Sequence, residues 1–259
     1  MAHPNNGMHA VEEESYFVSM TDLMVGMLFI FIIMLMAFAL NLREQEDKFD
    51  QTTSALTQAN ETRREMLEDI KNQMEKLGVK VIIDPENGVL RLPEELLFPR
   101  GEFLLTEKGR DALKRLAEVM AKVLPCYANA PANSSSSCPP SHGGRLEAVF
   151  IEGHTDDRPI VGKMNNGIKS NWDLSAARAI ETFNAIVQHA PALALVDNDG
   201  RQRILGVSGY AENRPVRKED SEDARSSNRR IDLRFLMATP NTEELLRIKE
   251  SLTKGEGRK

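Results

Sequence analysis

The sequence predicts an α+β domain held behind a single membrane-spanning helix and a helical linker. Three observations carry that prediction. One long uncharged run lies near the N-terminus, a Pro-free stretch rich in Glu, Lys, Gln and Arg follows it, and the remainder alternates short β-type runs with helical ones. With 259 residues, 41% hydrophobic and 28% charged, the chain has room for one domain of ordinary size plus extra segments. Its net charge of -6 and the lack of a basic stripe argue against a nucleic-acid partner.

From Leu23 to Leu40 no charged residue interrupts the apolar run. At about 1.5 Å per residue it reaches roughly 27 Å, close to the hydrocarbon thickness of a bilayer. Residues 16–41 are therefore expected to form a transmembrane helix. Met1 to Ser15 contains no Lys or Arg, and "MAFALNLRE" is a poor cleavage site, so the run reads as a retained anchor rather than a secretory signal. Glu12 to Glu14 precede it and Arg43 follows, which leaves the positive-inside rule silent on, or mildly contrary to, a cytoplasmic N-terminus.

Asp22 stands at the head of this run, in "SMTD". Two readings are open. Thr21 and Asp22 cap the helix N-terminus, where a negative charge is favoured by about 0.3–1 kcal/mol. Alternatively Asp22 is a functional carboxylate, since an ionised one in a bilayer costs on the order of 3 kcal/mol and is normally paired, protonated or wet.

Residues 42–78 predict a helix stopped by Gly78. Phe49, Leu56, Arg63, Ile70 and Leu77 recur at heptad spacing, with Thr53, Asn60, Leu67 and Met74 as a weaker second seam. A parallel two-stranded coiled coil and a solvated single helix or linker both fit. The folded domain is expected over residues 79–237. It opens with two β runs around "PENG", where Asn87-Gly88 suits a tight hairpin turn. Thr106 then caps a helix bearing Leu113, Leu116, Ala117, Met120 and Leu124 on one face. "RLEAVFIEG", "RILGVSGY" and "NRRIDLRF" read as strands and "NWDLSAARAIETFNAIVQ" as a helix, giving a mixed sheet with helices packed on one face. Residues 238–259 form a charged tail.

Cys126 and Cys138 bracket the Pro/Ser-rich loop within residues 125–144. No His or further Cys stands at metal-ligand spacing. A disulfide closing the loop would place this part of the chain in an oxidising compartment; two unpaired loop thiols are the other reading. No nucleophile, metal or cofactor constellation is legible, which argues against an enzyme. His154 reads as structural and Trp172 as a packing residue.

Four stretches, "EGHTDDRPI", "SNWDLSAARA", "GYAENRPV" and "NRRIDLRF", stand in an order and spacing that resemble the OmpA-like peptidoglycan-binding domain, and "LFPRGEFLLTEKGRDAL" resembles its first loop and helix. The resemblance covers about residues 79–237. It implies a pocket for the diaminopimelate residue of a wall peptide, with an anion and a guanidinium on opposite sides. Carried over, these are Asp156 and Arg178, with Asn171 and Leu174 on the Arg178 face of the helix and Arg229 as a second carboxylate contact.

The short N-terminus, the single helix with an Asp at its entrance, the linker and the wall-binding domain together resemble the MotB class of stator subunits. Within that class, "SMTDLMVGMLFIFIIMLM" looks closest to the B subunit of the Zorya anti-phage system. The resemblance implies an inner-membrane homodimer, N-terminus cytoplasmic and C-terminal domain periplasmic, inside a ring of five MotA-like A subunits. Asp22 would carry a translocated ion, proton or sodium, with no other cofactor; peptidoglycan and membrane lipid are the remaining partners. A flagellar stator is the near alternative, although its basic N-terminus is missing and its aromatic-Ala-Asp entrance is replaced by "SMTD". A passive envelope tether and an ExbD- or TolR-like transducer also stand.

Overall fold

A computed structural model describes residues 8–128, 145–160 and 167–239, with side chains from Met20 onward. Cys138, most of the Cys-bracketed loop and the tail beyond Thr239 lie outside the described residues. The chain divides into two compact units, Met1–Thr53 and Ser54–Lys259.

The first unit consists of the N-terminal part of α1, Met8–Lys76. From Met20 the helix is long and apolar enough to cross a membrane, and its side chains are exposed throughout that stretch. Because α1 starts at Met8, Asp22 lies several turns inside it, where the backbone amides already have partners within the helix. The capping reading of Thr21 and Asp22 is thereby corrected.

In the second unit α1 ends in a Schellman arrangement. Val79 N donates to Met74 O at 3.0 Å and Gly78 N to Glu75 O at 2.9 Å, with Gly78 at φ 77, a conformation that glycine adopts without strain. The folded unit starts at Ser54, well before the expected boundary at residue 79. Met66, Leu67, Ile70 and Met74 are fully buried in the same core as Leu113, Leu116 and Met120. A heptad and the inner face of an amphipathic helix share their spacing. Here those residues meet their own domain, so no coiled-coil seam runs through them.

The hairpin β1 (Ile82–Asp84) and β2 (Val89–Pro93) is antiparallel. Gly88 turns it at φ 66, and Asp84 Oδ1 accepts from Asn87 N at 3.2 Å. A single helical turn, α2 (Glu94–Leu97), follows. Helix α3 (Glu107–Val123) starts where expected, with Thr106 Oγ1 accepting from Gly109 N at 2.9 Å, and it buries Leu113, Leu116, Ala117 and Met120. A 3-10 turn, Leu124–Cys126, ends this segment.

Strand β3 (Leu146–His154) leads through α4 (Asn171–His189) to the parallel strand β4 (Leu205–Gly209), and α5 (Glu222–Asn228) leads into β5 (Arg230–Met237). The sheet order is β1-β2-β5-β3-β4, all pairs antiparallel except β3 with β4. Alternation along β3 and β5 sends Val149, Ile151, Leu233 and Phe235 into the core. Helix α4 sits directly on the ends of β3 and β4. A methyl on Gly153 would fall 1.9 Å from Ser175 O, and one on Gly209 2.8 Å from Ala176 N. These glycines let α4 approach the sheet.

Candidate functional site

The register of the sheet assembles the site. His154 at the end of β3 faces Arg230 at the start of β5, and Pro93 at the end of β2 faces the same Arg230. The residues just past these ends, Glu94, Asp156 and Arg229, therefore converge. Their backbones are tied as well: Glu94 N donates to Arg229 O at 3.0 Å, and Thr155 N donates to Ala211 O at 2.9 Å.

Arg229 sits at the centre. Its Nη1 donates to Asp156 Oδ2 at 2.7 Å, its Nε lies 2.6 Å from Glu94 Oε2 without hydrogen-bonding geometry, and Nη2 lies 3.2 Å from Glu222 Oε1. Glu94 uses its other oxygen to accept from Arg178 Nη2. Acid and base thus alternate as Glu222, Arg229, Glu94, Arg178, with Asp156 branching from Arg229. Asp156 Oδ1 also accepts from Arg158 N at 3.1 Å, which folds the "TDDR" loop back on itself.

Arg178 is only 1% exposed. Its Nε donates to Glu102 O at 2.8 Å and its guanidinium stands 5.3 Å over the Phe98 ring. Burial pushes its pKa down, opposed by Glu94. A cavity of about 330 Å³ lies beside this network, lined by Arg229, Glu94, Phe98, Arg100 and Glu222.

Asp156, Arg178 and Arg229 are thus brought into one network, and Glu94 is the bridge. Of the predicted site residues only Arg229 lines this cavity; Asp156, Asn171 and Leu174 do not, and Arg178 stands behind Glu94 and Phe98. Asn171 holds the opposite side of the Asp156 loop. Its Nδ2 donates to Arg158 O at 3.1 Å and to Glu212 Oε2 at 3.2 Å. Leu174 is buried in α4, outside the main apolar core. Sequence reasoning missed Glu94, Phe98, Arg100 and Glu222. For Glu94 the available signal was a pair of acidic residues inside the otherwise apolar "LPEELLF".

A second buried polar group lies on β3 and β5. Glu152, His154 and Asp232 place one ligand atom each within 4.8 Å of one another. Their carboxylates are engaged by guanidiniums. Arg234 donates twice to Glu152, at 2.8 Å each, and Asp232 accepts from Arg91 and Arg230 at 3.0 Å each. With both acids so neutralised, the set suits ion pairing better than a metal cation.

His154 is 1% exposed, stacks on Tyr210 at 5.5 Å, and neither ring nitrogen has a hydrogen-bond partner among the described residues. Burial would raise the Glu152 pKa, but the paired Arg234 guanidinium more than offsets it and the pKa is held at about 2. Burial pushes the His154 pKa below 6.5. The unfolded chain therefore takes up a proton near pH 6.5 that the folded one refuses, so this site costs stability as pH falls below that value. A urea midpoint that drops between pH 7.5 and pH 5.5 in the wild type, and drops less in His154→Gln, is the expected result; equal drops would remove His154 as the cause.

Several known proteins are similar to this chain. Residues 141–229 match the model of the OmpA family. Motility protein B of Bacillus subtilis is 25% identical over 173 residues, covering 67% of this chain, and the match spans 57% of that protein's length. The uncharacterized protein YtxE of the same organism is 23% identical over 252 residues, covering 88% of this chain and 90% of that one. Among solved structures, a putative MotB-like protein from Desulfovibrio vulgaris superposes with a TM-score of 0.49 at 21% identity, covering 70% of this chain and 97% of that one. The chain is accordingly similar to motility protein B, with a long apolar N-terminal helix and an OmpA-like domain in which Arg178, Glu94, Arg229 and Asp156 alternate in one network.

Proposed function

We propose that this protein is the peptidoglycan-anchored B subunit of an ion-driven rotary stator in the inner membrane, acting in Zorya anti-phage defence. The observation that carries the reading is Asp22, placed inside a membrane-length helix rather than at its cap. Two B chains form the axle. Their N-termini are cytoplasmic, their OmpA-like domains grip the wall in the periplasm, and ion passage at Asp22, proton or sodium, turns a ring of five MotA-like subunits around them. The flagellar stator remains the second reading, supported by the likeness to motility protein B.

For the wall ligand, the cavity beside Arg229 offers what a zwitterionic stem residue needs. Arg229 and Arg100 can meet a carboxylate, and Glu222 can meet an ammonium. Arg178 then acts behind it by fixing Glu94. Retention of the full chain, in detergent, on purified sacculi tests this reading. Arg229→Lys keeps the charge but loses the planar fork, so retention should weaken by about tenfold. Absence of wild-type retention would refute wall binding.

A Cys126–Cys138 disulfide belongs to the same reading, as the closure of a periplasmic loop. Among the described residues no cysteine is free. Peptide mapping without reductant should recover the two cysteines as one linked peptide; two alkylatable thiols would remove the bridge and its support for a periplasmic domain.

A further inference from the structure

A second cavity, of about 500 Å³, adjoins the first and has no part in the proposed site. Arg91, Arg217 and Arg230 line it together with Glu95, and Ile82, Pro93 and Val216 supply its apolar surface. Glu95 and Ser226 line both cavities, and Ser226 Oγ donates to Glu95 Oε1 at 2.9 Å, forming the ridge between them.

Its walls are fixed before any ligand arrives. Asn228, buried at the end of α5, clamps the segment bearing Val216 and Arg217. Asn228 Oδ1 accepts from their two backbone amides at 2.8 and 3.1 Å, and Nδ2 donates to Arg217 O at 2.7 Å. Arg230 is 4% exposed and held by Asp232 Oδ2, Asn228 O and Arg214 O.

The two remaining guanidiniums are incompletely used. Arg91 donates only through Nε, to Asp232, and Arg217 meets Glu219 only through Nε, at 3.4 Å. Their terminal amino groups have no acceptor among the described residues. Asp232 is shared between Arg91 and Arg230, so one carboxylate faces two guanidiniums. The cavity is thus short of anionic oxygen, while Glu95 offers one carboxylate oxygen, Oε2, on the ridge.

We propose that this cavity is a second subsite for the wall peptide, taking a free carboxylate on Arg91 and Arg217 with the adjoining ammonium on Glu95. It rests on the wall-binding reading above and extends it: one stem residue occupies the cavity beside Arg229, and a neighbouring free amino-acid end crosses the Glu95–Ser226 ridge. Guanidiniums carried on a fixed backbone around an apolar patch suit a short aliphatic segment carrying an unamidated carboxylate.

The test uses the full chain in detergent and soluble muropeptides released from sacculi by muramidase, with dissociation constants measured by calorimetry. Arg217 is half exposed and makes only the long Glu219 contact through its side chain, so Arg217→Ala leaves the fold intact. The expected result is about tenfold weaker binding. Glu95→Gln gives a smaller loss, and muropeptides with amidated carboxylates bind wild type and Arg217→Ala alike. If Arg229→Lys weakens binding while Arg217→Ala and Glu95→Gln bind as wild type, the second subsite is overturned and the first stands. Should wild type bind no muropeptide, both fall. Equal sensitivity of amidated and free muropeptides to Arg217→Ala would overturn the carboxylate assignment.

Discussion

Asp22→Asn should abolish phage protection in cells carrying the complete locus while leaving membrane levels of the protein unchanged. Asn keeps the size and hydrogen-bonding reach of the side chain but cannot bind and release a proton or neutralise a cation. Insertion is not impaired, because the substitution removes a charge that the bilayer disfavours wherever it enters the apolar region. On the stator reading proposed above, what is lost is the coupling: an elementary charge crossing 100 mV releases about 2.3 kcal/mol, and only a group that carries the charge can turn that into a conformational step. Helix capping cannot explain such a loss, since α1 begins at Met8. Plaquing efficiency, with protein levels matched by immunoblot, is the measurement. Undiminished protection by Asp22→Asn would leave a passive tether; if wild type never protects, the defence reading fails and swimming is the next assay.

Local signals were legible where one residue decides one geometry. Thr106 caps α3 through Gly109 N, Gly88 turns the hairpin and Gly78 ends α1 at positive φ, and the spaced Leu113, Leu116 and Met120 all reach the core. The convergence of Asp156 and Arg229 was legible as motif, although its cause, the pairing of His154 and Pro93 with Arg230, is a tertiary fact. Two things were hidden. The burial of Met66, Leu67, Ile70 and Met74 could not be told from a coiled-coil seam, because both patterns recur at nearly the same period. Glu94 sits in a helix too short to show periodicity, and Glu152 and Asp232 fall on strand positions that alternation assigns to water. Arginines on neighbouring strands cover that face instead, and cross-strand pairing depends on register rather than on sequence distance.

Arg178→Ala should be the most damaging substitution in the folded unit, lowering its stability by about 3–5 kcal/mol, the usual cost of removing one partner from a buried ion pair. The side chain is 1% exposed and supports three things at once: the charge of Glu94, the carbonyl of Glu102 and the face of Phe98. Its loss leaves the Glu94 carboxylate buried with Arg229 alone and opens a void between α4 and the loop after α2. The only Trp of the chain, Trp172, lies on α4, half exposed rather than packed as the sequence suggests, so a urea titration of the detergent-solubilised protein is followed by its fluorescence together with circular dichroism. Arg178→Lys should recover only part of the loss, since an ammonium cannot serve Glu94 and Glu102 through a rigid fork. Glu94→Leu combined with Arg178→Leu should be less damaging than the sum of the single changes, because the pair removes the uncompensated charge that each single variant leaves behind. A ligand-facing Arg178 would behave differently: its alanine variant would keep the urea midpoint and lose only retention on sacculi. An unchanged midpoint therefore overturns the positioning role, whereas a large shift assigns Arg178 to the support of Glu94 and leaves Arg229 to meet the wall.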